Sequence, residues 1–208
     1  MRILSLFAAL MLSISFSMAA DPKPAGATKV INMNTKGFQQ KLEADITGAK
    51  ELYLVVTDAG NGYGCDWADW LAPTLSGPKG TLKLTSLKWK SAKAEWGEVN
   101  VNRSAGGTPL KVNGKLFDDG IGTHANSVIH YALPEGYTKF NATAAIDNGG
   151  TDQNGGSSVQ FFVYTSQPPG KPQDPGHEPE QAVAGLDVGD GLKATLMASE
   201  PMLLSPSN

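Results

Sequence analysis

The alternation of apolar and polar residues along the chain predicts short strands rather than helices. In Glu51–Thr57 both sets of alternating side chains are largely apolar, so this segment is expected at the centre of a sheet that is covered on two sides. Ser157–Thr165 is predicted to be a further strand. Two further alternating runs, Ser127–Leu133 and Phe140–Asp147, flank a Pro-Glu-Gly turn and predict a hairpin. The pattern as a whole predicts an all-β sandwich of antiparallel strands.

Weaker signals fill the intervals between these strands. Lys29–Met33, Thr81–Lys90 and Leu110–Phe117 are predicted to be short strands of the same sandwich. Gly37–Ala49 has apolar residues at helical spacing and predicts a short helix or a capping turn. Asp58–Leu75 contains three closely spaced glycines and is predicted to be a loop.

Composition divides the chain into segments. Within residues 1–20, a basic residue is followed by an apolar run and then by small residues, and this order predicts a signal peptide. A short membrane anchor is the alternative. We therefore expect a secreted or periplasmic protein whose mature chain has no membrane span. The predicted segments are a signal peptide at 1–20, a flexible lead-in at 21–28, the sandwich at 29–165, a Pro-rich linker at 166–181, and the start of a further, truncated domain at 182–208.

Charge and cysteine content narrow the function classes. The formal net charge of the 208-residue chain is −3, which argues against nucleic-acid binding because phosphate contacts need clustered basic side chains. Cys65 is the only cysteine, so no internal disulfide can form, and the fold must depend on its core or on a metal.

Oxygen-bearing side chains gather in the predicted loop. Asp58, Asn61 and Asp66 fall within nine residues among glycines, and such a loop can wrap Ca²⁺, which takes several oxygen ligands including backbone carbonyls. The spacing does not match the EF-hand pattern. Asx turns explain the same residues, and the sequence leaves both interpretations open.

Aromatic residues in the same loop are candidates for sugar contacts. Trp67 and Trp70, with Asp69 beside them and His124 elsewhere in the chain, combine aromatic faces with hydrogen-bonding groups, as a shallow carbohydrate site requires. The alternative is that the two tryptophans belong to the core.

Catalytic motifs are missing from the sequence. It contains no nucleophile-elbow serine motif, no zinc-protease helix motif and no phosphate-binding glycine loop. His124 and His130 lack a third zinc ligand. The pairs Asp66/Asp69 and Asp118/Asp119 keep a glycoside hydrolase open by residue type alone, but turn formation explains most of these aspartates, and we expect no enzyme.

Two blocks resemble the NPCBM domain, which is grouped with carbohydrate-binding module family 51. They are VVTDAGNGYGCDWADWLAPTL at Val55–Leu75, and Gly120–Thr165, which opens with GIGTHANS. Trp67 stands where relatives commonly have histidine, so no role of that histidine is carried over. The resemblance implies a jelly-roll β-sandwich, often with a structural Ca²⁺, that binds galactose-containing glycans as an appended part of secreted proteins.

The C-terminal segment resembles something different. AVAGLDVGDGLKATLMASEP, from Ala182 onward, is similar to the start of a β-propeller related to sugar dehydrogenases in large secreted proteins. That resemblance supports an alternative function, a structural or protein-interaction domain at the N-terminus of a multidomain extracellular oxidoreductase, with downstream domains as partners.

Overall fold

The structure, a computed structural model, describes residues 22–169. The predicted signal peptide, most of the Pro-rich linker and the predicted further domain lie outside this range. In chain order the strands are β1 (Gly26–Ala27), β2 (Ile31–Asn32), β3 (Gln39–Asp45), β4 (Glu51–Thr57), β5 (Trp67–Gly77), β6 (Gly80–Lys83), β7 (Ser91–Ala94), β8 (Asn100–Val101), β9 (Leu110–Val112), β10 (Lys115–Phe117), β11 (Gly120–His124), β12 (Ser127–Ala132), β13 (Lys139–Ile146) and β14 (Ser158–Tyr164).

Helical structure within this range is limited to three short segments. Lys36–Phe38 and Leu84–Ser86 are single 3₁₀ turns, and α1 covers Asn148–Thr151. None of these helices is long and apolar enough to cross a membrane.

The strands form two antiparallel sheets that face each other. Sheet I has the order β1-β14-β4-β12-β7, with β2 also paired to β14, and sheet II has the order β3-β13-β5-β11-β8, with β6 paired to β5. The links from β3 to β4, from β4 to β5, and from β11 through β14 each cross from one sheet to the other. The predicted all-β sandwich is confirmed, with connections of the jelly-roll type.

The core lies between the two sheets. It contains the inward-facing residues of β4, β12 and β14 from sheet I and those of β3, β5 and β13 from sheet II. Trp70 is fully buried at its centre, with its ring edge-on to Phe161 at 4.9 Å and to Phe140 at 5.9 Å between centroids. Because Phe161 belongs to β14 and Phe140 to β13, Trp70 ties the two sheets together.

The predicted hairpin between Ser127 and Asp147 is wrong. Both strands exist, but β12 pairs with β4 and β7 in sheet I, whereas β13 pairs with β3 and β5 in sheet II. The Pro-Glu-Gly turn at residues 134–136 therefore carries the chain across the sandwich. His124 and His130 consequently belong to different sheets, since β11 lies in sheet II.

Two predictions for the N-terminal part are also corrected. Gly37–Ala49 contains strand β3 instead of a helix, because the buried residues Leu42, Ala44 and Ile46 follow a period of two. The predicted flexible lead-in contains β1, which pairs with β14. A Cβ added to Gly26 would overlap the backbone carbonyl of Glu43, so this strand packs closely on β3.

A second, smaller core lies on the outer face of sheet II. Leu71 and Ala145 of that sheet pack against Leu110 and Val112 of β9, and β9 pairs only with β10 in a hairpin among the described residues. The hairpin thus covers part of a sheet face that would otherwise be exposed. As a result β5 is buried on both faces over its first half.

Replacement of the central tryptophan should destabilise the protein far more than the same replacement at the surface. We expect Trp70→Ala to lower the free energy of unfolding by about 3–5 kcal/mol, because it leaves a large cavity between the sheets. Trp96→Ala, at a side chain that is 46% exposed, should change it by less than about 0.5 kcal/mol. Urea denaturation of both variants measures the difference, and equal effects would contradict the assignment of Trp70 to the core.

Candidate functional site

The predicted loop at Asp58–Leu75 ends much earlier than expected, because β5 begins at Trp67. Side chains alternate along a strand, so Trp67 and Trp70, three residues apart, point to opposite faces of sheet II. Trp70 and Asp69 have no exposed surface. Both are therefore removed from the set of sugar contacts, whereas Trp67 is half-buried at the end of the strand.

Trp67 belongs to a group of four rings, which we call the aromatic cluster: Tyr63, Trp67, Trp96 and His124. The ring of Trp96 lies 5.1 Å from Trp67 and 5.1 Å from His124 between centroids, and Tyr63 lies edge-on to His124 at 6.2 Å. Tyr63 and Trp96 are 50% and 46% exposed. The cluster thus has two exposed aromatic rings above a more deeply set tryptophan and histidine.

The sheet and two glycines hold Trp67 in place. Trp67 and His124 are register partners across β5 and β11, so their side chains are neighbours on the same face of sheet II. A Cβ added to Gly106 or to Gly149 would overlap the Trp67 ring. The ring therefore lies in a slot between two backbone segments, and its orientation is set by the fold.

His124 is a neutral hydrogen-bonding group. Its Nδ1 lies 2.7 Å from the carbonyl oxygen of Ala125, and a carbonyl only accepts, so Nδ1 carries the proton. Burial lowers the pKa of His124, and this hydrogen bond only partly offsets the effect. The neutral ring therefore has a lone pair on Nε2, and the residue is buried, with 3% of its surface exposed.

Asp69 lies behind this cluster as a buried acid. Neither of its carboxyl oxygens has a hydrogen-bond partner within normal geometry, and burial, together with the charge of Asp147, raises the pKa of Asp69 well above its usual range. Asp147 is engaged by the backbone amides of Lys111, at 2.8 Å, and Gly149, at 2.7 Å. Burial and the neighbouring charge therefore favour the neutral form of Asp69, and Asp147 holds α1 and the hairpin on the sheet.

The three predicted metal ligands lie around the loop that precedes β5, and β14 fixes this loop. Asp66 Oδ1 accepts the Ser158 amide at 2.8 Å, and Asn61 Oδ1 accepts the Ser158 hydroxyl at 2.9 Å. Asp58 Oδ1 accepts the Gly60 amide at 3.0 Å, which is the Asx-turn interaction. The turn chemistry is thus present, and it leaves free lone pairs on all three residues.

Asp66 has an oxygen that the protein leaves unsatisfied. The residue is 1% exposed, and its Oδ2 is buried without a hydrogen-bond partner, as is the hydroxyl of the adjacent Ser157. Burial raises the pKa of Asp66 to about 7; the bond from the Ser158 amide opposes the rise, and the nearby Asp58 carboxylate adds to it. A cation between Asp58 and Asp66 would give the buried Asp66 oxygen a partner and would offset the repulsion between the two carboxylates.

The oxygen donors here suit a hard cation with few carboxylate ligands. Among residues 22–169 no three His, Cys, Asp or Glu side chains gather in a metal-binding group. Asp58 and Asp66 would supply two carboxylates, and Asn61, Ser157 and backbone carbonyls would have to supply the other oxygens. Ca²⁺ accepts such a mixed set of ligands, whereas zinc does not favour it.

Comparison with known proteins places these features in a family. The NPCBM/NEW2 domain matches residues 11–76 and 80–170, which is more than half of the chain. The chain belongs to the NPCBM/NEW2 family. This is a family of non-catalytic carbohydrate-binding modules.

One curated relative has a match to this NPCBM chain. It is the alpha-1,3-galactosidase B of Akkermansia muciniphila, which is 36% identical over 86 residues, or 40% of this chain and 10% of the relative. The chain thus corresponds to a small part of that protein. No solved structure matches the chain significantly.

The two sequence blocks that resemble NPCBM domains meet at the aromatic cluster. The first block contributes Tyr63 and Trp67, and the second contributes β11 with His124, which pairs with β5 from Ala68 to Leu71 as well as at Trp67. Trp96 lies between the blocks, in the link from β7 to β8. Tyr63 and Trp96 were not among the site residues predicted from the sequence, although each is an aromatic residue next to a glycine in a polar segment.

The raised pKa of Asp66 predicts how the stability of the protein changes with pH in metal-free buffer. The pKa is about 7 in the folded protein and about 3.9 in an unfolded chain. The contribution of Asp66 to the free energy of unfolding is therefore fully present below about pH 4 and is lost as the pH rises toward 7. Asp66→Asn keeps the acceptor for Ser158 and removes this loss, so the variant should gain in relative stability across this interval.

Thermal melts in EDTA from pH 4 to pH 7 measure this effect. Asp118→Asn, the same change at an exposed position, is the matched control and should leave the pH profile in place. A difference between Asp66→Asn and the unsubstituted protein that stays constant with pH would contradict the account.

Proposed function

We propose that this domain is a non-catalytic module of a secreted or periplasmic protein and that it binds a galactose-containing glycan at the aromatic cluster. The observation that carries the proposal is the arrangement of Tyr63 and Trp96, both about half exposed, above Trp67 and His124. The family supports the ligand class.

The cluster has the chemistry that a sugar ring needs. Aromatic faces pack against the apolar C–H face of a pyranose, and polar groups beside them receive its hydroxyls. Trp96 and Tyr63 would supply the faces, and the neutral His124 would supply an acceptor. Trp67, which is held between Gly106 and Gly149, gives the Trp96 ring a fixed neighbour at 5.1 Å between centroids.

Two further points support the finer parts of the proposal. Galactose is supported by the relative, whose name gives it an activity on alpha-1,3-linked galactose. Export is supported by the basic, apolar and small residues of the predicted signal peptide at 1–20.

Sugar hydrolysis requires two carboxylates on either side of one bond, and three of the four aspartates that were considered for it from the sequence are buried or engaged elsewhere. Asp66 and Asp69 are both buried. Asp119 is used elsewhere: it pairs with Lys83 at 3.2 Å and accepts the Thr85 hydroxyl at 2.6 Å. We therefore propose binding without turnover.

A structural Ca²⁺ is part of the same proposal. Asp58, Asn61 and Asp66 would hold it, with the unpartnered Ser157 hydroxyl beside them. When bound, the ion neutralises the repulsion between Asp58 and Asp66. Tyr63 lies between Asn61 and Asp66 in the sequence. An ion that holds these two residues in place would therefore also fix the position of the Tyr63 ring in the aromatic cluster.

The second candidate is a domain that positions other parts of a larger protein. It is favoured by the relative, of which the match covers only 10%, and by the resemblance of residues 182–208 to the start of a propeller. This candidate predicts binding to downstream domains and no affinity for sugar.

Removal of an exposed ring should weaken glycan binding without loss of the fold. We expect Trp96→Ala and Tyr63→Ala each to raise the dissociation constant for a galactose-terminated glycan by about tenfold or more. Leu116→Ala, at a side chain 62% exposed on β10, is the control and should bind as the unsubstituted protein does. Calorimetric titration in Ca²⁺ provides the measurement. Failure of the unsubstituted protein to bind any glycan in such titrations would refute the proposal.

Calcium should reverse the order of stability of two proteins. In EDTA at pH 7 the Asp66→Asn variant is expected to melt above the unsubstituted protein, because it avoids a buried charge. In millimolar Ca²⁺ the unsubstituted protein should melt above the variant, because binding to the folded state stabilises it. If Ca²⁺ changes the melting temperature of neither protein, the proposed metal site is refuted, and the proposed glycan site is not affected by that result.

A further inference from the structure

The outer face of sheet I carries three apolar side chains in a line, which we call the apolar row. Val128, Val55 and Phe162 are register partners across β12, β4 and β14, and their side chains lie on the face turned away from the core. Val128 is 38% exposed. Lys93 on β7 is the register partner of Val128, so an ammonium group lies at the end of the row.

The chain that leaves sheet I turns back onto this row. Strand β14 ends at Tyr164, two residues beyond Phe162, and an extended continuation would lead further away from the row. Pro168 and Pro169 nevertheless line the groove whose floor is the apolar row. Residues 165–169 therefore reverse direction across the outer face of the sheet. The groove has a volume of about 690 Å³, which leaves room for a segment of chain beyond Pro169.

Prolines recur at every third position where the chain enters the groove. Pro169, Pro172 and Pro175 are three residues apart, and a polyproline II helix has three residues per turn. In that conformation the three rings form one apolar ridge. Proline also has no backbone N–H. A segment of this composition can therefore cover an apolar floor and bury fewer unpaired donors than an ordinary peptide would.

We propose that residues 170–175 of this chain occupy the groove, where they lie across the apolar row as a polyproline II segment. The two prolines that line the groove give this occupant its starting point, because the covalent chain continues from Pro169. The tether also gives the segment a high effective concentration at the groove. It therefore has an advantage over a free peptide or a free sugar of equal intrinsic affinity.

The dimensions of the row and of the segment agree. Adjacent strands are about 4.8 Å apart, so Val128 lies about 10 Å and Lys93 about 14 Å from β14 across the sheet. A polyproline II helix rises about 3.1 Å per residue, which places Pro172 about 9 Å and Asp174 about 16 Å beyond Pro169. Pro172 would therefore pack on Val128. The Asp174 carboxylate would meet the Lys93 ammonium, so the charges at the end of the row are complementary.

The consequence is a fixed exit from the domain. Residues beyond 175 would leave at the β7 edge of sheet I, whereas β14 lies near the opposite edge. The direction in which the chain continues would then be set by the sandwich and not by a free tether. This inference goes beyond the proposed glycan site and does not depend on it, because none of the four residues of the aromatic cluster lines the groove.

Nuclear magnetic resonance relaxation on the full chain tests the proposal. The readouts are the order parameter of the Gln173 amide and the nuclear Overhauser contact between the Val128 methyl groups and the Pro172 ring. Val128→Arg places a charge on the row, and Val101→Arg, at a valine 36% exposed on β8 of sheet II, is its control. Pro172→Gly changes the ridge and leaves the sandwich untouched, and Pro179→Gly, outside the three-residue spacing, is its control.

In the unsubstituted protein we expect an order parameter of about 0.85 for the Gln173 amide, as in rigid backbone, together with the contact between Val128 and Pro172. Val128→Arg and Pro172→Gly should each lower the order parameter below about 0.6. The two control variants should leave it unchanged.

An order parameter below about 0.6 for Gln173 in the unsubstituted protein would overturn the proposal. Val128 methyl signals that change on dilution would assign the face to a second copy, with the same consequence. If a galactose-terminated glycan shifts those signals and leaves Gln173 unaffected, the groove belongs to a sugar and the proposal is again wrong. None of these results removes the glycan site at the aromatic cluster, which is tested separately by Trp96→Ala and Tyr63→Ala.

Discussion

Strand β5 must be covered on both of its faces, and the rest of the domain depends on this constraint. On the inner face Trp70 packs edge-on to Phe161 and Phe140 and joins the two sheets. On the outer face Asp69 and Leu71 are buried beneath α1 and the β9–β10 hairpin. In the first half of β5 only the first residue, Trp67, is partly exposed. A strand that is rigid because it is buried twice therefore presents one tryptophan at its end, and rigidity of this kind is what a stacking site requires.

The same strand explains the electrostatic peculiarities of the domain. The chain enters β5 from a loop fixed to β14 through Asp66, and it continues with Asp69, which is buried next to Asp147. Both acids have raised pKa values because burial disfavours their charge. They differ in what surrounds them. Asp69 faces a single carboxylate that backbone amides already satisfy, whereas Asp66 has a second carboxylate, an amide oxygen and an unpaired hydroxyl nearby. That difference is why we propose a cation at Asp66 and a proton at Asp69.

Sequence patterns predicted those parts of the fold that depend on alternation within one segment. Glu51–Thr57 was predicted to be a central strand because both of its faces are largely apolar, and Ser157–Thr165 was predicted to be a strand; β4 lies in the middle of sheet I, beside β14. The partner of a strand is a different matter. The turn at residues 134–136 has a hairpin composition, but whether it returns to the same sheet or crosses to the other depends on residues far away in the chain. The start of β5 was missed because glycines and aspartates dominate the preceding segment and conceal the alternation that begins at Trp67.

Prediction of the site had a similar limit. Residue type correctly directed attention to Trp67, but exposure, which separates Trp70 from Trp96, results from packing between sheets and cannot be derived from local sequence. The four tryptophans offer the most direct test of the central claim, because each gives its own indole N–H signal in a nuclear magnetic resonance spectrum. During titration with a galactose-terminated glycan, we expect the signals of Trp67 and Trp96 to shift and those of Trp70 and Trp89 to stay in place. Saturating glycan that shifts neither Trp67 nor Trp96 would contradict it.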